Sequence, residues 1–277
     1  MKVVFLIPTC NKAEILTQAL KLMDEIDPQP SKYVFLENNS EDDTLQVLTE
    51  WQRSHPSEIL RLWLREDAVQ VIGQKYGVIG LIRQMLLDRA RKMDVDYAVF
   101  VDDDIFIPYT DFITRITAWR KHLVGTPYPY FAQYEGLRLS PIWFQNGHST
   151  QQVAKTVCDG FNEVHSVAGG VMCISRTLLM DDRVNFLPLI DTPERKLGED
   201  IGYCVKARQQ GYKVYVDCSM IMGHYVETVR QKAWHADAWH PRSGFRLGKK
   251  PQRKGVVLMP EKYMQLLAEI DAQLLLS

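Results

Sequence analysis

The sequence has no run of eighteen apolar residues, so it offers no segment able to cross a bilayer as a helix. It also has almost no net charge. Its 33 Lys and Arg against 34 Asp and Glu leave −1 at pH 7, and no global field recommends a nucleic acid or an acidic lipid surface as partner. Cysteine is scarce and odd in number, with five residues at 10, 158, 173, 204 and 218 and no close pair. Cys173, Cys204 and Cys218 fall in apolar segments, so free thiols in a reducing cytoplasm are expected rather than disulfides or a zinc site. No secretion signal is expected, because the run Val3 to Ile7 with only Lys2 before it is too short for one, and Pro8-Thr9-Cys10-Asn11 is not a cleavage site. Glycine is absent from the turn Pro8-Thr9-Cys10-Asn11-Lys12-Ala13, which weighs against a triphosphate-holding loop. No internal repeat is found. What the 277 residues do contain, 46% hydrophobic and 24% charged, is ordinary globular composition with one large core or two modest ones.

The first hundred residues alternate strand and helix. Val3 to Ile7 is a continuous apolar run, as in a strand covered on both faces. Asn11 or Thr9 is the expected cap of a helix from about Ala13 to Ile26, stopped by Asp27-Pro28-Gln29-Pro30. A strand at Tyr33 to Leu36, a helix from Asp43-Thr44 to about Arg53 and a strand at Ile59 to Leu64 follow. Gly77 to Lys92 is helical by period, and Tyr97 to Val101 is a fourth strand. Such alternation predicts a parallel sheet with right-handed crossovers and ligands beyond the carboxyl ends of its strands. Pro8-Thr9, Glu37-Asn38-Asn39 and Asp102-Asp103-Asp104 all lie at such ends.

Beyond this half, Tyr128 to Phe161 reads as irregular structure or short antiparallel strands, with Pro127, Pro129 and Pro141 in or beside it. Val164 to Ser175 is a strand-like run around Gly169-Gly170, and Thr177 to Asp182 a short helix. Glu199 to Gln210 is a helix ended by Gly211, and Tyr212 to Asp217 a strand. Residues 242–255 read as a basic loop, and Pro260 opens an amphipathic helix with Tyr263, Leu266, Leu267, Ile270 and Leu274 on one face.

The most informative stretch is Tyr97 to Phe106, where an apolar run ends in three adjacent carboxylates. Like charges so close repel, and carboxylates are rarely buried unless paired or metal-bound. A strand stopping at Val101 presents Asp102 and Asp104 on one side, two hard oxygen ligands suited to a divalent cation that also holds phosphates. The alternative is a charged turn after an edge strand.

Four pieces then occur in order: Ile7-Pro8-Thr9-Cys10-Asn11; Glu37-Asn38-Asn39-Ser40 with Asp43-Thr44; Asp102-Asp103-Asp104; and Gly198-Glu199-Asp200 with a later Gly223-His224. This set resembles glycosyltransferases of the GT-A fold, above all the family 2-like group, over about residues 1–225. The resemblance implies an α/β fold, with a mostly parallel central sheet flanked by helices and a small antiparallel acceptor-side region. It implies a catalytic domain at 1–225, with a nucleotide-binding half at 1–106 and an acceptor half at 107–225. Residues 226–277 would pack on that domain as a basic loop and helix.

The same resemblance implies site roles. Pro8, Thr9 and Asn11 would border base and ribose, Glu37 and Asn39 would support that edge, and Arg83 would join the donor site. Asp102 would reach the ribose or a metal-bound water, and Asp103 would belong to the donor site. Asp104 would bind Mn²⁺ or Mg²⁺, with His224 as a late ligand and Asp102 as a further candidate. Gly169 and Gly170 would let the backbone approach the donor sugar.

The mechanism expected is metal-dependent, inverting transfer from a UDP- or GDP-sugar to a hydroxyl on a glycan, lipid-linked sugar or protein. Asp200 is the candidate base and Glu199 the runner-up. Each residue also has a plainer reading: Asp200 at a helix N-terminus, His224 in a core, Arg83 as a solvated charge. Trp143 with Phe144, or Trp234 and Trp239 beside His235 and His240, could stack on an acceptor sugar, and most aromatics are core. Arg242, Arg246, Lys249 and Lys250 are candidates for a lid over the diphosphate. The rival classes are a sugar-phosphate nucleotidyltransferase and a non-catalytic sugar-binding protein. A cytoplasmic location is expected, with peripheral membrane contact open through the C-terminal helix and basic loop.

Overall fold

Alternation along the first strand sets the layers. β1 (Val3–Thr9) is buried throughout. Its Val4 and Leu6 join one core cluster, while Val3, Phe5 and Ile7 join the other, as period-two side chains must when both faces are covered. In the computed structural model the described residues are 1–64, 74–132, 136–139, 142–146, 149–152, 160–190, 197–227 and 255–258.

The chain continues as α1 (Ala13–Asp24), β2 (Lys32–Asn38), α2 (Thr44–Gln52), β3 (Ser57–Leu62), α3 (Gln74–Arg91), β4 (Tyr97–Val101), β5 (Ile105–Phe106), α4 (Phe112–Ala118) and β6 (Leu123–Gly125). Then come β7 (Pro129–Ala132), β8 (Gly136–Leu139), β9 (Ile142–Asn146), β10 (Ser149–Gln152), β11 (Phe161–Val164), β12 (Ser166–Val167) and β13 (Val171–Ser175). α5 (Arg176–Leu179), α6 (Glu199–Gln209), β14 (Val214–Asp217), β15 (Gly223–Glu227) and β16 (Gly255–Leu258) complete it.

Eight strands form one sheet in the order β11-β14-β6-β13-β4-β1-β2-β3. β1 pairs in parallel with β2 and β4, β2 with β3, and β6 with β14. Only β13 and β11 run against their neighbours. This is the mostly parallel sheet expected. The antiparallel region expected after Tyr128 is present as β7-β8 and β10-β9-β12.

On one face, Ile82, Leu86, Leu87 and Ala90 of α3 and Tyr203, Cys204 and Ala207 of α6 pack against Leu6, Val34 and Phe100. On the other, Leu16, Leu20 and Met23 of α1 and Phe112, Ile113 and Ile116 of α4 pack against Phe5, Tyr33 and Phe35. Phe5 meets Tyr33 and Phe112 edge-on, with centroids 5.6 and 6.1 Å apart.

The topology places one rim. Parallel β1, β2 and β4 bring Thr9, Asn38 and Val101 to the same end. β13 starts there too, since Val171 pairs with Val101. Gly169-Gly170 therefore arrive at the rim from the opposite direction.

Three expectations change. The run Val164 to Ser175 breaks into pieces of β11, β12 and β13, because Ser166 and Val167 leave the main sheet to pair with Trp143 and Ile142. The N-cap position of α1 is Lys12, without a side-chain cap of its own. Its donors are met from the loop after β2 and the start of α2: Ala13 N donates to Asp42 Oδ2 at 3.0 Å and Lys12 N to Thr44 Oγ1 at 2.9 Å. Among the cysteines, Cys10, Cys173 and Cys204 are in no disulfide, but Cys218 is disulfide-bonded, which corrects the thiol expectation there. Bridge partners need only be close in space, so spacing along the chain does not reveal them. The helix expected after Pro260 lies outside the described residues.

Candidate functional site

The three aspartates do not continue the strand. Ile105 N donates to Asp102 O at 3.1 Å, so they form a turn between β4 and β5. Each then takes a different partner. Asp102 Oδ1 accepts from Arg83 Nη2 at 2.7 Å. Asp103 points back under β1, where its Oδ2 accepts from Thr9 Oγ1 at 2.8 Å and Cys10 N at 3.2 Å. Asp104 meets Lys12 Nζ at 3.1 Å and faces His224 Nε2 at 3.6 Å. Burial, with the Asp104 charge beside it, raises the Asp103 carboxyl to about 7 despite Lys12 and Thr9. Asp102 is also raised, by burial first, with Arg83 opposing and Asp104 adding to the rise. Asp103 thus ties the β1 turn to the β4 turn from within, while Asp104 keeps 22% of its side chain exposed.

Arg83 is the centre of the site. It sits on α3 with 3% of its side chain exposed. Its fork spends Nη2 on Asp102, Nη1 on Gly169 O at 2.9 Å and Nε on Glu199 Oε1 at 3.4 Å. Burial opposes its charge, but Asp102, Glu199 and Asp200 outweigh that and raise it above the ordinary guanidinium value. The other side of the Gly169 peptide is also engaged, because Gly169 N donates to Asp200 Oδ2 at 3.0 Å. Asp200 Oδ1 accepts from Ile201 N at 2.7 Å. Glu199 and Asp200 lie in the first turn of α6, where the helix dipole favours carboxylates. Glu199 is nonetheless buried, and burial plus the Asp200 charge lift it to about 7 against the pull of Arg83.

The two glycines have a packing reason different from the one expected. A Cβ on Gly169 would lie 2.7 Å from Arg83 Nη2, and one on Gly170 would lie 2.5 Å from Tyr128 Cε1. The space is filled by this chain's own guanidinium and phenol rings.

The loops after β1 and β2 are sewn together. Pro8 is buried within β1 opposite Leu36. Asn11, at φ 52°, accepts at Oδ1 from Glu41 N at 2.7 Å and donates its N–H to Ser40 Oγ at 3.0 Å. Buried Glu37 accepts from Ser40 N at 2.7 Å and from Arg61 Nε at 3.0 Å. Asn39, at φ 50°, bridges to the Leu64 backbone, accepting at 2.8 Å and donating at 3.0 Å. Residues expected to edge a nucleotide thus also shape the rim that would hold it.

His224 reaches Asp104 through strand pairing. β15 runs antiparallel to β5, with His224 opposite Ile105, and Tyr225 N donates to Asp104 O at 2.9 Å. His224 Nδ1 lies 2.7 Å from Pro129 O. A carbonyl only accepts, so Nδ1 donates to it, and Nε2 is the nitrogen turned toward Asp104. Among the described residues no group of three His, Cys, Asp or Glu side chains is arranged to hold an ion. One carboxylate and one imidazole nitrogen do fit a Mn²⁺ or Mg²⁺ that takes its other oxygens from phosphate and water.

The structure brings together Thr9, Arg83, Asp102, Asp103, Asp104, Gly169, Gly170, Glu199, Asp200 and His224 through the contacts above. Trp143 lies on β9 opposite Ser166, three residues from Gly169 in sequence. Trp234, Trp239, Arg242, Arg246 and Lys249 lie outside the described residues. Sequence reasoning missed Lys12, Arg61, Asp42 and Tyr128. Tyr128 is partly buried against the core; burial, with the Asp102 and Asp200 charges adding to it, raises its phenol well above the ordinary value, and its ring centroid lies 4.9 Å from that of His224. Nothing in the sequence sets it apart from the other eleven of the 12 tyrosines.

The family model described as glycosyl transferase family 2 matches residues 4–156, more than half of the chain. Solved structures share the fold at low identity. TarS 1–349 from S. aureus, in complex with UDP-GlcNAc, is 17% identical with a TM-score of 0.55, over 89% of this chain and 62% of that one. The mannosyltransferase PcManGT from Pyrobaculum calidifontis, in complex with GDP-Man and Mn²⁺, is 16% identical with a TM-score of 0.52, over 84% and 59%. The chain spans about three fifths of the length of these proteins. No curated protein sequence matches it.

Proposed function

The chain belongs to glycosyl transferase family 2, and from that premise we propose that it moves a sugar from a nucleoside-diphosphate donor to a hydroxyl acceptor, with inversion and with Asp200 as the base. The observation that carries this reading is the Gly169 peptide. Its N–H holds Asp200 and its carbonyl holds Arg83, which holds Asp102. A candidate base and a donor-side carboxylate are thereby fixed to one rigid unit at one rim.

The roles follow from placement. Residues 1–106 would hold the nucleotide and 107–225 the acceptor. Pro8, Thr9, Asn11, Glu37 and Asn39 form the wall for base and ribose. Both UDP and GDP are kept as donors, since neighbours of this fold carry UDP-GlcNAc in one case and GDP-Man in another. Asp104 and His224 would hold a divalent cation, which would supply positive charge to the departing diphosphate when bound. Asp200, oriented by Gly169 N and Ile201 N, takes the proton of the attacking hydroxyl, and one direct displacement inverts the anomeric centre. Glu199 is less suited, because it is buried beneath Arg83. Trp143 is kept as an acceptor-side candidate. Among the described residues no helix is long and apolar enough to cross a membrane.

The test is incubation with UDP- and GDP-sugars and Mn²⁺, measuring free nucleoside diphosphate. Metal-dependent release, lost in Asp104→Asn and Asp200→Asn, is expected. Pyrophosphate formed from a nucleoside triphosphate and a sugar phosphate would replace this reading with a nucleotidyltransferase. Nucleotide-sugar binding without either product would replace it with a binding protein.

A further inference from the structure

Asp104, the carboxylate best placed for a divalent cation, already has a cation beside it. Lys12 Nζ lies 3.1 Å from Asp104 Oδ2 and 5.2 Å from the centre of the Tyr225 ring. The other Asp104 oxygen faces His224 Nε2 at 3.6 Å. An ammonium and a divalent ion on one carboxylate repel each other strongly in a partly buried rim. Binding of the ion at Asp104 therefore requires Lys12 to move.

The geometry says what can move. The Lys12 backbone is fixed, since its N–H donates to Thr44 Oγ1 at 2.9 Å and its carbonyl accepts from Leu16 N at 2.7 Å, at the N-terminus of the twelve-residue α1. Its side chain is a flexible four-carbon stem ending in a compact charge, with 23% exposed.

We propose that Lys12 is an internal counter-cation that couples metal binding to donor binding. It neutralises Asp104 in the donor-free protein and passes to the diphosphate oxygens when the donor enters, leaving Asp104 to the divalent cation. This rests on the reading of Asp104 and His224 as the metal's protein ligands. The coupling follows from linkage. Metal alone must break the Lys12–Asp104 pair, and diphosphate alone must also break it to gain Lys12. Bound together they break it once, so each tightens the other by the same factor. No proton or covalent bond is transferred.

The experiment is calorimetric titration with MnCl2 alone, and then with UDP or GDP at saturation, on the wild type, Lys12→Met, Lys12→Arg and Asp104→Asn. Lys12→Met keeps the stem and removes the charge. It is expected to bind Mn²⁺ alone about fivefold to tenfold more tightly, within the usual range of site-to-site coupling. The factor by which the nucleotide tightens Mn²⁺ is expected to shrink correspondingly. Lys12→Arg, which keeps the charge, is expected to bind Mn²⁺ alone no more tightly than the wild type. Unchanged or weaker Mn²⁺ binding in a folded Lys12→Met, with binding still abolished by Asp104→Asn, overturns the role of Lys12 and leaves the metal site standing. If Lys12→Met fails to fold, Lys12→Arg decides: tighter binding of Mn²⁺ alone than in the wild type overturns the proposal. Mn²⁺ binding indifferent to Asp104→Asn overturns the metal site and the proposal with it.

Discussion

Arg83→Met is expected to destabilise the protein by an amount that depends on pH. The substitution removes a guanidinium from among Asp102, Glu199 and the Gly169 carbonyl, and leaves Glu199 buried without a counter-charge. Breaking a buried ion pair by deleting one partner costs about 3–5 kcal/mol, and the carbonyl left without a donor falls within that range rather than adding to it. Glu199 decides the pH dependence. Its folded-state pKa, about 7, stands above the ordinary carboxylate value, so its protonated form favours the fold. That contribution is complete below the unfolded pKa and is lost as pH rises through about 7. Removing Arg83 takes away the charge that pulls Glu199 down, so its proton is held to still higher pH and the stability of the variant falls more steeply. The loss should be near the full 3–5 kcal/mol at about pH 8.5 and about 2 kcal/mol smaller at about pH 5.5, where Glu199 is neutral, at 1.4 kcal/mol per pKa unit. Urea unfolding of both proteins at the two pH values measures this. Adding Glu199→Gln should shrink the pH dependence of the Arg83→Met loss, leaving the part that comes from Asp102, which Arg83 also holds down. Equal losses at both pH values, or a loss below about 1 kcal/mol, would refute the view of Arg83 as the electrostatic centre of the rim.

Three more outcomes are expected. Asp104→Asn should abolish Mn²⁺-supported donor binding in calorimetry, and unchanged Mn²⁺-supported affinity would remove Asp104 from the ligand set. Asp200→Asn should keep donor affinity while turnover falls by about 10² or more, because the base is lost and the Gly169 contact can be kept by the amide oxygen. Near-normal turnover would place the base elsewhere. Gly170→Ala should cost about 1–3 kcal/mol in thermal or urea unfolding, since its new methyl would sit 2.5 Å from the partly buried Tyr128 ring. Adding Tyr128→Ala to it should relieve much of that loss if the clash is the cause.

What was legible in the sequence is what is written locally. The fourth strand was placed at Tyr97 to Val101, where β4 is found, because an apolar run meeting three carboxylates is an abrupt local change. The start of α6 at Glu199 was equally plain, since acidic residues after Gly198 mark a first turn. The turns at Asn11 and Asn39 carry left-handed backbone at 52° and 50°, which asparagine tolerates. What was missed depends on contacts between distant segments. The cap of α1 comes from Asp42 and Thr44, thirty residues downstream, where any reading confined to the flanking residues looks in vain. Lys12 has no local mark, and its importance follows from β15 bringing His224 beside Asp104, 120 residues after the aspartate turn.

The aspartate turn shows the same limit at the scale of chemistry. Alternation predicts two carboxylates aimed at one ion, and residue type alone supports that reading. The fold instead spends Asp102 on Arg83 and Asp103 on Thr9, and leaves Asp104 as the carboxylate turned toward His224. That division has a physical reason. Three adjacent carboxylates around one site would repel without enough cation to hold them, whereas an arginine, a hydroxyl with a backbone N–H, and a lysine each satisfy one of them in turn. It also links the two acidic motifs through the Gly169 peptide. Arg83 is fixed by Asp102, and the carbonyl it grips belongs to the peptide whose N–H sets Asp200. A substitution that moves that peptide must displace both carboxylates together, so Gly169→Ala should impair donor binding and turnover in the same variant, where Asp104→Asn and Asp200→Asn separate them.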